Sequence, residues 1–532
     1  MSGQTEIELK FLVPQEARSA ISAEMARKSA TLERRTLAAL YLDTEDRRLA
    51  RAGIAWRVRR EGRRWIQTLK AGGAGALERF EHEVIRPGPS HDAAAHAGTR
   101  TGDKLIRILR DARNDGLEVG VRFQTEVRRI ARRIRTRGAV VEVAFDEGRL
   151  LSAGARLRLR EVEFELLSGS AVAMLALAER WRKRFGLVYD PRSKAERGDR
   201  LAGGSAFPPI RKARTLEYSR DAGVLEAFGV VMDECLAHVS HNAIGLLDGD
   251  PALRVEHVHQ LRIGIRRLRS ALRSFEGWVP PAPQAFVDDL RALFTELGRA
   301  RDSDVLDSGV VAALGKVGAP QLSLRGAKAG PDPVAMVRAP GAQKLLLAWI
   351  AWRVGLAGAP ADTPELTARG APALQEGARD EQAPAAAQTP AQLELQAEGR
   401  SDGKAVQRKA ARRLRRWHRR IVADWKIFDD LDEEGLHSLR KRIKRQRYAV
   451  EFLAPVLRRR GMQRYLKSLT AIQERMGELN DLFIARERYQ ALVDSDPTAW
   501  FALGWLAARV AEVRLLAEPE LKLLARADPP GR

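Results

Sequence analysis

One short strand near the N-terminus limits what this chain can become. In Glu6-Ile7-Glu8-Leu9-Lys10-Phe11 the charged residues share one face at a period of two, and Ile7, Leu9 and Phe11 share the other. Alternation alone fits any half-buried strand. Here the pattern recurs through roughly the first 200 residues with both signs of charge. Two carboxylates and an ammonium on one face are the parts needed to hold a divalent cation together with a phosphate.

Later segments repeat the arrangement. Gln15 to Ala30 reads as a helix. Arg57 and Arg59 lie opposite Trp56 and Val58, Glu61-Gly62 is a turn, and Trp65 to Lys70 returns as the second strand of a hairpin. Arg79 to Val84 alternates again, Arg122 to Arg129 is a basic strand, and Val141 to Asp146 places Glu142 and Asp146 together. Glu161, Glu163 and Glu165 then share a face, followed by a helix over Ala171 to Phe185. Such strands fit either an antiparallel sheet with a wet outer face or a closed barrel with a polar lumen. A face carrying only carboxylates repels itself unless a cation or opposing arginines lie nearby. A lumen holding both clusters resolves that conflict and is the favoured arrangement.

The length, 532 residues, calls for two or three domains. A net charge of +23 predicts a polyanionic partner. The single cysteine, Cys235, excludes an intramolecular disulfide or a cysteine-based zinc site. The charged first strand has no signal-peptide core, and the most apolar run, Leu345 to Trp352, is far too short to span a membrane. A cytoplasmic protein with no membrane partner is expected.

The succession E-x-E-x-K, Y-x-D-T, R-x-R, T-L-K, R-x-E, V-E-V-x-x-D, E-x-E-x-E and S-K-x-x-R-G resembles the CYTH superfamily over about residues 1–202. That resemblance implies an eight-stranded antiparallel barrel, the triphosphate tunnel. It implies Mg²⁺ or Mn²⁺ on Glu6, Glu8, Glu81, Glu142, Asp146, Glu161 and Glu163, with the register of Glu165 open. It also implies phosphate contacts from Lys10, Arg57, Arg59, Lys70, Arg79, Arg129 and Lys194, with Glu83 and Arg197 as further candidates. Glu6, Glu8 and Lys10 would be the catalytic core.

After a Gly/Pro/Ser-containing linker at 203–215, residues 216–520 read as all-helical with an internal repeat. His259-x-x-Arg262-x-x-x-Arg266-Arg267-x-Arg269 returns 178 residues later as His437-x-x-Arg440-x-x-x-Lys444-Arg445-x-Arg447. The first copy is followed by Leu297-Gly298-x-x-Arg301-Asp302-x-Asp304 and the second by Leu479-Asn480-Asp481. Positions i, i+3, i+7 and i+10 make one helical stripe. One basic stripe is usually a solvated face, but two copies with the same histidine point to a shared anion site. Phosphate contacts alone suit a flexible polyanion, and the absence of aromatics between the cations argues against nucleic acid. This half resembles the CHAD domain, which implies binding of inorganic polyphosphate and association with polyphosphate granules. The Pro/Ala/Gln-rich tract at about 357–403 is expected to be a disordered insertion, preceded by a docked helix over Gln343 to Val354.

The expected fold class is therefore α+β, a tunnel barrel followed by a duplicated helical bundle. The expected function is hydrolysis of inorganic triphosphate to pyrophosphate and phosphate, with polyphosphate bound by the helical half. Class IV adenylate cyclase, thiamine triphosphatase and a non-catalytic polyphosphate binder are the alternatives.

Overall fold

The computed structural model describes residues 4–27, 30–73, 75, 77–306, 310–320, 331–358, 403–458 and 460–531. The first unit contains β1 (Gln4–Leu12), α1 (Arg18–Met25), β2 (Glu33–Thr44), α2 (Arg48–Arg51), β3 (Ile54–Glu61), β4 (Arg64–Gly72) and β5 (Glu78–Arg86). It continues with α3 (Arg100–Asn114), β6 (Val119–Thr136), β7 (Ala139–Ser152), β8 (Ala155–Gly169), α4 (Ala171–Phe185), β9 (Val188–Tyr189) and α5 (Lys194–Ala202). The strand order β5-β4-β3-β2-β6-β7-β8-β1 closes through pairing of β1 with β5, and all of these ladders are antiparallel. This is a closed eight-stranded barrel. The two-residue β9 adds to β1 at Phe11 and Leu12.

Closure explains the alternating sequence. Leu9, Phe11, Val143, Phe145, Val162 and Phe164 point out of the barrel and are covered by Met174, Ala178 and Trp181 of α4. On the other flank Trp56, Val58 and Leu69 are covered by Leu49 of α2 and Leu105 of α3. On these two flanks the strands are buried on both faces, apolar outside and charged within, whereas the outer face of β6 stays wet through Gln124, Glu126 and Arg128. The helix expected over Gln15 to Ala30 is shorter, Arg18–Met25. Asp43 and Thr44 of the Y-x-D-T motif serve a local purpose. The Asp43 carboxylate accepts from the backbone N–H groups of Leu49 and Ala50, both at 2.9 Å, and so fixes α2.

The second unit is helical. It runs α6 (Val224–Asp248), α7 (Arg254–Ser274), α8 (Gln284–Leu306), α9 (Ala312–Lys316), α10 (Pro333–Arg338) and α11 (Pro340–Gly358). It resumes with α12 (Gly403–Trp425), α13 (Glu433–Leu453), α14 (Met462–Gln490) and α15 (Ala499–Arg526). The repeat is visible in the packing, since α7 lies against both α6 and α8, and α13 against both α12 and α14. The two copies meet where α7 crosses α13. The expected insertion lies outside the described residues, apart from its ends.

Residues Gln343 to Val354 are helical and docked, as expected, within the longer α11. This helix is wedged between α4 of the barrel unit and α6 of the bundle. Gln343 accepts from the Tyr189 backbone N–H at 3.1 Å, and Arg353 donates to Asp233 at 2.9 Å. Trp349 is almost completely buried. A hydrophobic core runs continuously from the barrel's outer face into the bundle.

Candidate functional site

The lumen is built from strand register. Glu8 stands opposite Glu165, Lys10 opposite Glu163, and Lys70 opposite Glu81. Arg129 stands opposite Asp146, and Asp146 opposite Glu161. The period of two then sends every one of these side chains inward.

Two mixed clusters result. In the first, Lys70 Nζ lies 2.8 Å from Glu6 and 3.0 Å from Glu81, and Lys10 lies 3.0 Å from Glu8. Arg79 pairs with Glu8 and also reaches the Pro191 carbonyl at 3.5 Å. Burial pushes the Glu8 carboxyl up, but Lys10, Lys70 and Arg79 outweigh it and hold it well below the usual range. Burial and a hydrogen bond with Glu6 raise Glu81. In the second cluster, Asp146, Glu161 and Glu163 bring ligand oxygens within 4.8 Å of one another. Lys194 sits among them at 2.7, 2.5 and 2.8 Å, and Arg129 adds a bond to Asp146 at 2.7 Å and pairs with Glu163. Burial raises Glu161, whereas Lys194 and Arg129 overcome burial to lower Glu163.

Arg57 and Arg59 project from the β3–β4 hairpin into the same space. Arg57 donates to the Tyr41 hydroxyl at 3.2 Å and approaches Glu81 to 3.8 Å. Arg59 meets Glu61 at 2.5 Å and Glu83 at 3.3 Å. Glu142 faces Glu165 across β7 and β8, away from the three-carboxylate cluster. Burial, with Glu142 and Glu81 nearby, pushes Glu165 up to about 7.

Helix α5 explains the S-K-x-x-R-G motif. Ser193 caps it by accepting from the Glu196 N–H at 3.0 Å. Lys194 enters the second cluster, and Arg197 reaches Glu161 at 3.1 Å. A Cβ on Gly198 would stand 2.1 Å from the Phe123 ring, so only glycine lets the helix lie this close to the barrel. Tyr41 is the lumen residue that sequence reasoning gave no role. Its motif is visible, but its bond to Arg57 depends on the β2–β3 register.

In the bundle the arginines and lysine of the stripes are half-buried rather than solvated. Arg262, Arg266 and Arg269 surround the Phe294 ring of α8, with guanidinium carbons 4.9, 5.6 and 5.4 Å from its centroid. A Cβ on Gly298 would meet Arg262 at 2.5 Å, so the L-G signature makes room for that guanidinium. In the second copy Arg440 donates to Asn480 of the L-N-D signature at 3.1 Å. The copies converge. Burial, then Arg266 and Arg440, push the Lys444 ammonium down to about 6. His437 is exposed and His259 half-buried.

Three expected anion contacts are placed differently. Arg267 is buried, donates to Glu451 at 2.7 Å and packs on Tyr448 and Phe452, because adjacent helical positions do not share a face. Arg447 is committed to the same Glu451 and to Gln473 at 2.7 Å. Arg445 points toward Trp417 of α12, away from Lys444's surroundings. Arg301, Asp302 and Asp304 lie where only the helix backbone is described.

Among the described residues no helix is long and apolar enough to cross a membrane. The family model for the CYTH domain matches residues 4–198, and that for the CHAD domain matches residues 230–490. An inorganic triphosphatase of Haemophilus influenzae is 26% identical over 207 residues, covering 38% of this chain. The chain spans 56% of that relative's length. The crystal structure of the CHAD domain from Ricinus communis is 26% identical, covers 60% of this chain and 98% of its own, and gives a TM-score of 0.42. A Hippeastrum protein described as an adenylyl cyclase with a dominant triphosphatase activity is 19% identical, covers 38% and 98% respectively, and gives a TM-score of 0.28.

Proposed function

From a chain that joins a CYTH domain to a CHAD domain, we propose that the barrel hydrolyses inorganic triphosphate to pyrophosphate and phosphate and that the bundle binds inorganic polyphosphate. The observation that carries the first part is the clustering of Asp146, Glu161 and Glu163 within 4.8 Å, next to lumen-facing Arg57, Arg59 and Arg129. The kinship with an inorganic triphosphatase supports the same reading.

The donor set fits a hard divalent cation. All three groups are carboxylates, and the cluster holds more buried acid than its own geometry can leave uncompensated, which Lys194 and Arg129 now balance. Asp146, Glu161 and Glu163 would hold Mg²⁺ or Mn²⁺, with Glu6, Glu8 and Glu81 as further ligands across the lumen. Bound there, the cation would neutralise charge on phosphate oxygens and lower the barrier to attack on phosphorus.

The chain's own residues do the rest. Arg57 and Arg59 bind and align the phosphates, and Arg129 and Lys10 stabilise charge developing on the transferred group. Helix α5 lines one end of the lumen and keeps Lys194 and Arg197 turned inward. No side-chain nucleophile is required, since water suffices for attack at phosphorus. In the bundle, Arg262, Arg266, Arg269, Arg440 and Lys444 contact successive phosphates of the polymer without reading any base.

The test is turnover of the purified chain on triphosphate, ATP and thiamine triphosphate, with and without Mg²⁺ or Mn²⁺. Metal-dependent phosphate release that is fastest on triphosphate is the expected result. Cyclic nucleotide as the main product would replace the reading with a cyclase, and no turnover with any of the three would leave a binding protein.

A further inference from the structure

The basic stripes do not end at the point where α7 crosses α13. Arg266, Arg269 and Arg273 continue along one face of α7 at the i, i+3 and i+7 positions, and Arg273 is exposed. Arg445 of α13, which turns away from Lys444, lies over Trp417 of α12 at 5.6 Å. Arg413 of α12 stacks on Trp278 at 4.1 Å and donates to the Ser274 and Glu276 carbonyls, both at 2.7 Å, at the end of α7. These contacts join the end of α7 to the face of α12.

That face borders a groove of about 740 Å³. Its walls carry a lysine and five arginines of α12, from Lys409 to Arg419, against one carboxylate, Asp528. Lys409, Arg412, Arg416 and Arg419 are exposed, and among the described residues none of them forms an ion pair. The same helix carries a single acid, Asp424, already paired with Arg442. Burial and the like charges of Arg291, Arg273 and Arg266 hold the Arg269 guanidinium below its ordinary range. Burial, Arg273 and Arg420 do the same to Arg445. Cations of α7, α8, α12 and α13 thus lie close enough to repel one another between the stripes and α12.

We infer that one polyanion track runs from the paired stripes over Arg269, Arg273 and Arg445 to the α12 groove, and that the groove holds the outlying part of a long polyphosphate chain. The inference rests on the polyphosphate reading of the bundle. Phosphate-only recognition is favoured over nucleic acid because Trp278 is covered by Arg413 and Trp417 is buried, so neither offers a free face to a base. A short chain fills the stripes alone, whereas a long chain also reaches the groove. Length discrimination follows.

The experiment compares short-chain and long-chain polyphosphate binding by the full chain, with metal chelated so that nothing is cut. The variant carries Arg412→Ala, Arg416→Ala and Arg419→Ala, three exposed positions where alanine favours the helix. Long-chain affinity should fall by about tenfold or more, and the salt slope should shrink by roughly two, as expected for three lost phosphate contacts. Short-chain affinity should stay as it was. Equal losses for both lengths, or no loss for either, would overturn the track while leaving the stripe site standing. If the parent binds neither polymer, the underlying reading fails and the track with it. If the three substitutions abolish binding of RNA or acidic vesicles but not of polyphosphate, the groove serves another partner and the inference is wrong.

Discussion

Arg129 and Asp146 face each other across β6 and β7, with guanidinium Nε and Nη2 2.8 and 2.7 Å from the two carboxylate oxygens. A residue proposed to grip phosphate and a residue proposed to hold metal thus neutralise each other without ligand. Binding would exchange partners, the cation taking Asp146 and the phosphate taking Arg129. The pair is bidentate and Asp146 is wholly buried.

Arg129→Met should therefore cost stability as well as rate. Removing one partner of a buried pair costs about 3–5 kcal/mol, and the lower end applies because Lys194 remains 2.7 Å from Asp146. Turnover should fall by about 100-fold or more, as for loss of one donor to a developing charge. Urea denaturation and initial rates measure the two effects. A stability loss below about 1 kcal/mol would mean that Lys194 alone balances the carboxylate.

Metal binding separates the two acidic clusters. A saturating cation should stabilise the native protein by about 2–3 kcal/mol, seen as a rise in Tm on adding Mn²⁺. Glu163→Gln should remove most of that rise, since Glu163 belongs to the three-carboxylate group. Glu6→Gln should keep most of it, because Glu6 is held by Lys70 in the other cluster. The reverse ranking would move the principal cation site to β1.

Gly298→Ala probes the bundle with one methyl group. Its Cβ would lie 2.5 Å from Arg262, which must swing away because the obstacle is the far end of a flexible side chain. The helix itself should gain up to about 1 kcal/mol from the better helix former. Polyphosphate affinity should fall by roughly tenfold while Tm holds or rises. Calorimetric binding and a melting curve decide it, and unchanged affinity would remove Arg262 from the anion site.

Much of this architecture is legible in the sequence because strand periodicity is local. Ile7, Leu9 and Phe11 declare an outer face and Glu6, Glu8 and Lys10 an inner one before any pairing is known. What periodicity cannot supply is which inner residues meet. The contact of Lys194 with Asp146, Glu161 and Glu163 depends on how α5 folds back onto the barrel, a relation spanning up to 48 residues of chain. The helical motif misleads at Arg267 and Arg445, which adjoin the stripe rather than lie on it, while Arg447 lies on the stripe but is held by Glu451 and Gln473. Adjacent positions in H-x-x-R-x-x-x-[RK]-R-x-R diverge by about 100° on a helix, so one pattern serves several faces. The basic run of α12 carries no motif at all, and only its position beside the end of α7 gives it meaning.

The last prediction concerns pH and Lys444. Its ammonium is largely buried and faces Arg266 from α7, Arg440 and Arg447 from its own helix and Asp481 from α14. Burial first, then Arg266 and Arg440, lower its pKa to about 6, so near neutrality the free protein carries it mostly uncharged. An anion bound between the stripes favours the charged form, and binding should take up a proton. Affinity for long-chain polyphosphate should therefore rise as pH falls from about 8 toward 6, by at most about tenfold per pH unit for one proton. His437 works in the same direction, its imidazole held below its ordinary range by partial desolvation, Lys441 and Arg440. A long chain keeps the titration of its terminal phosphates negligible. Lys444→Arg should bind well yet lose most of the dependence, and adding His437→Gln should flatten the remainder. A pH profile unchanged by both substitutions would show that neither group faces the bound polymer.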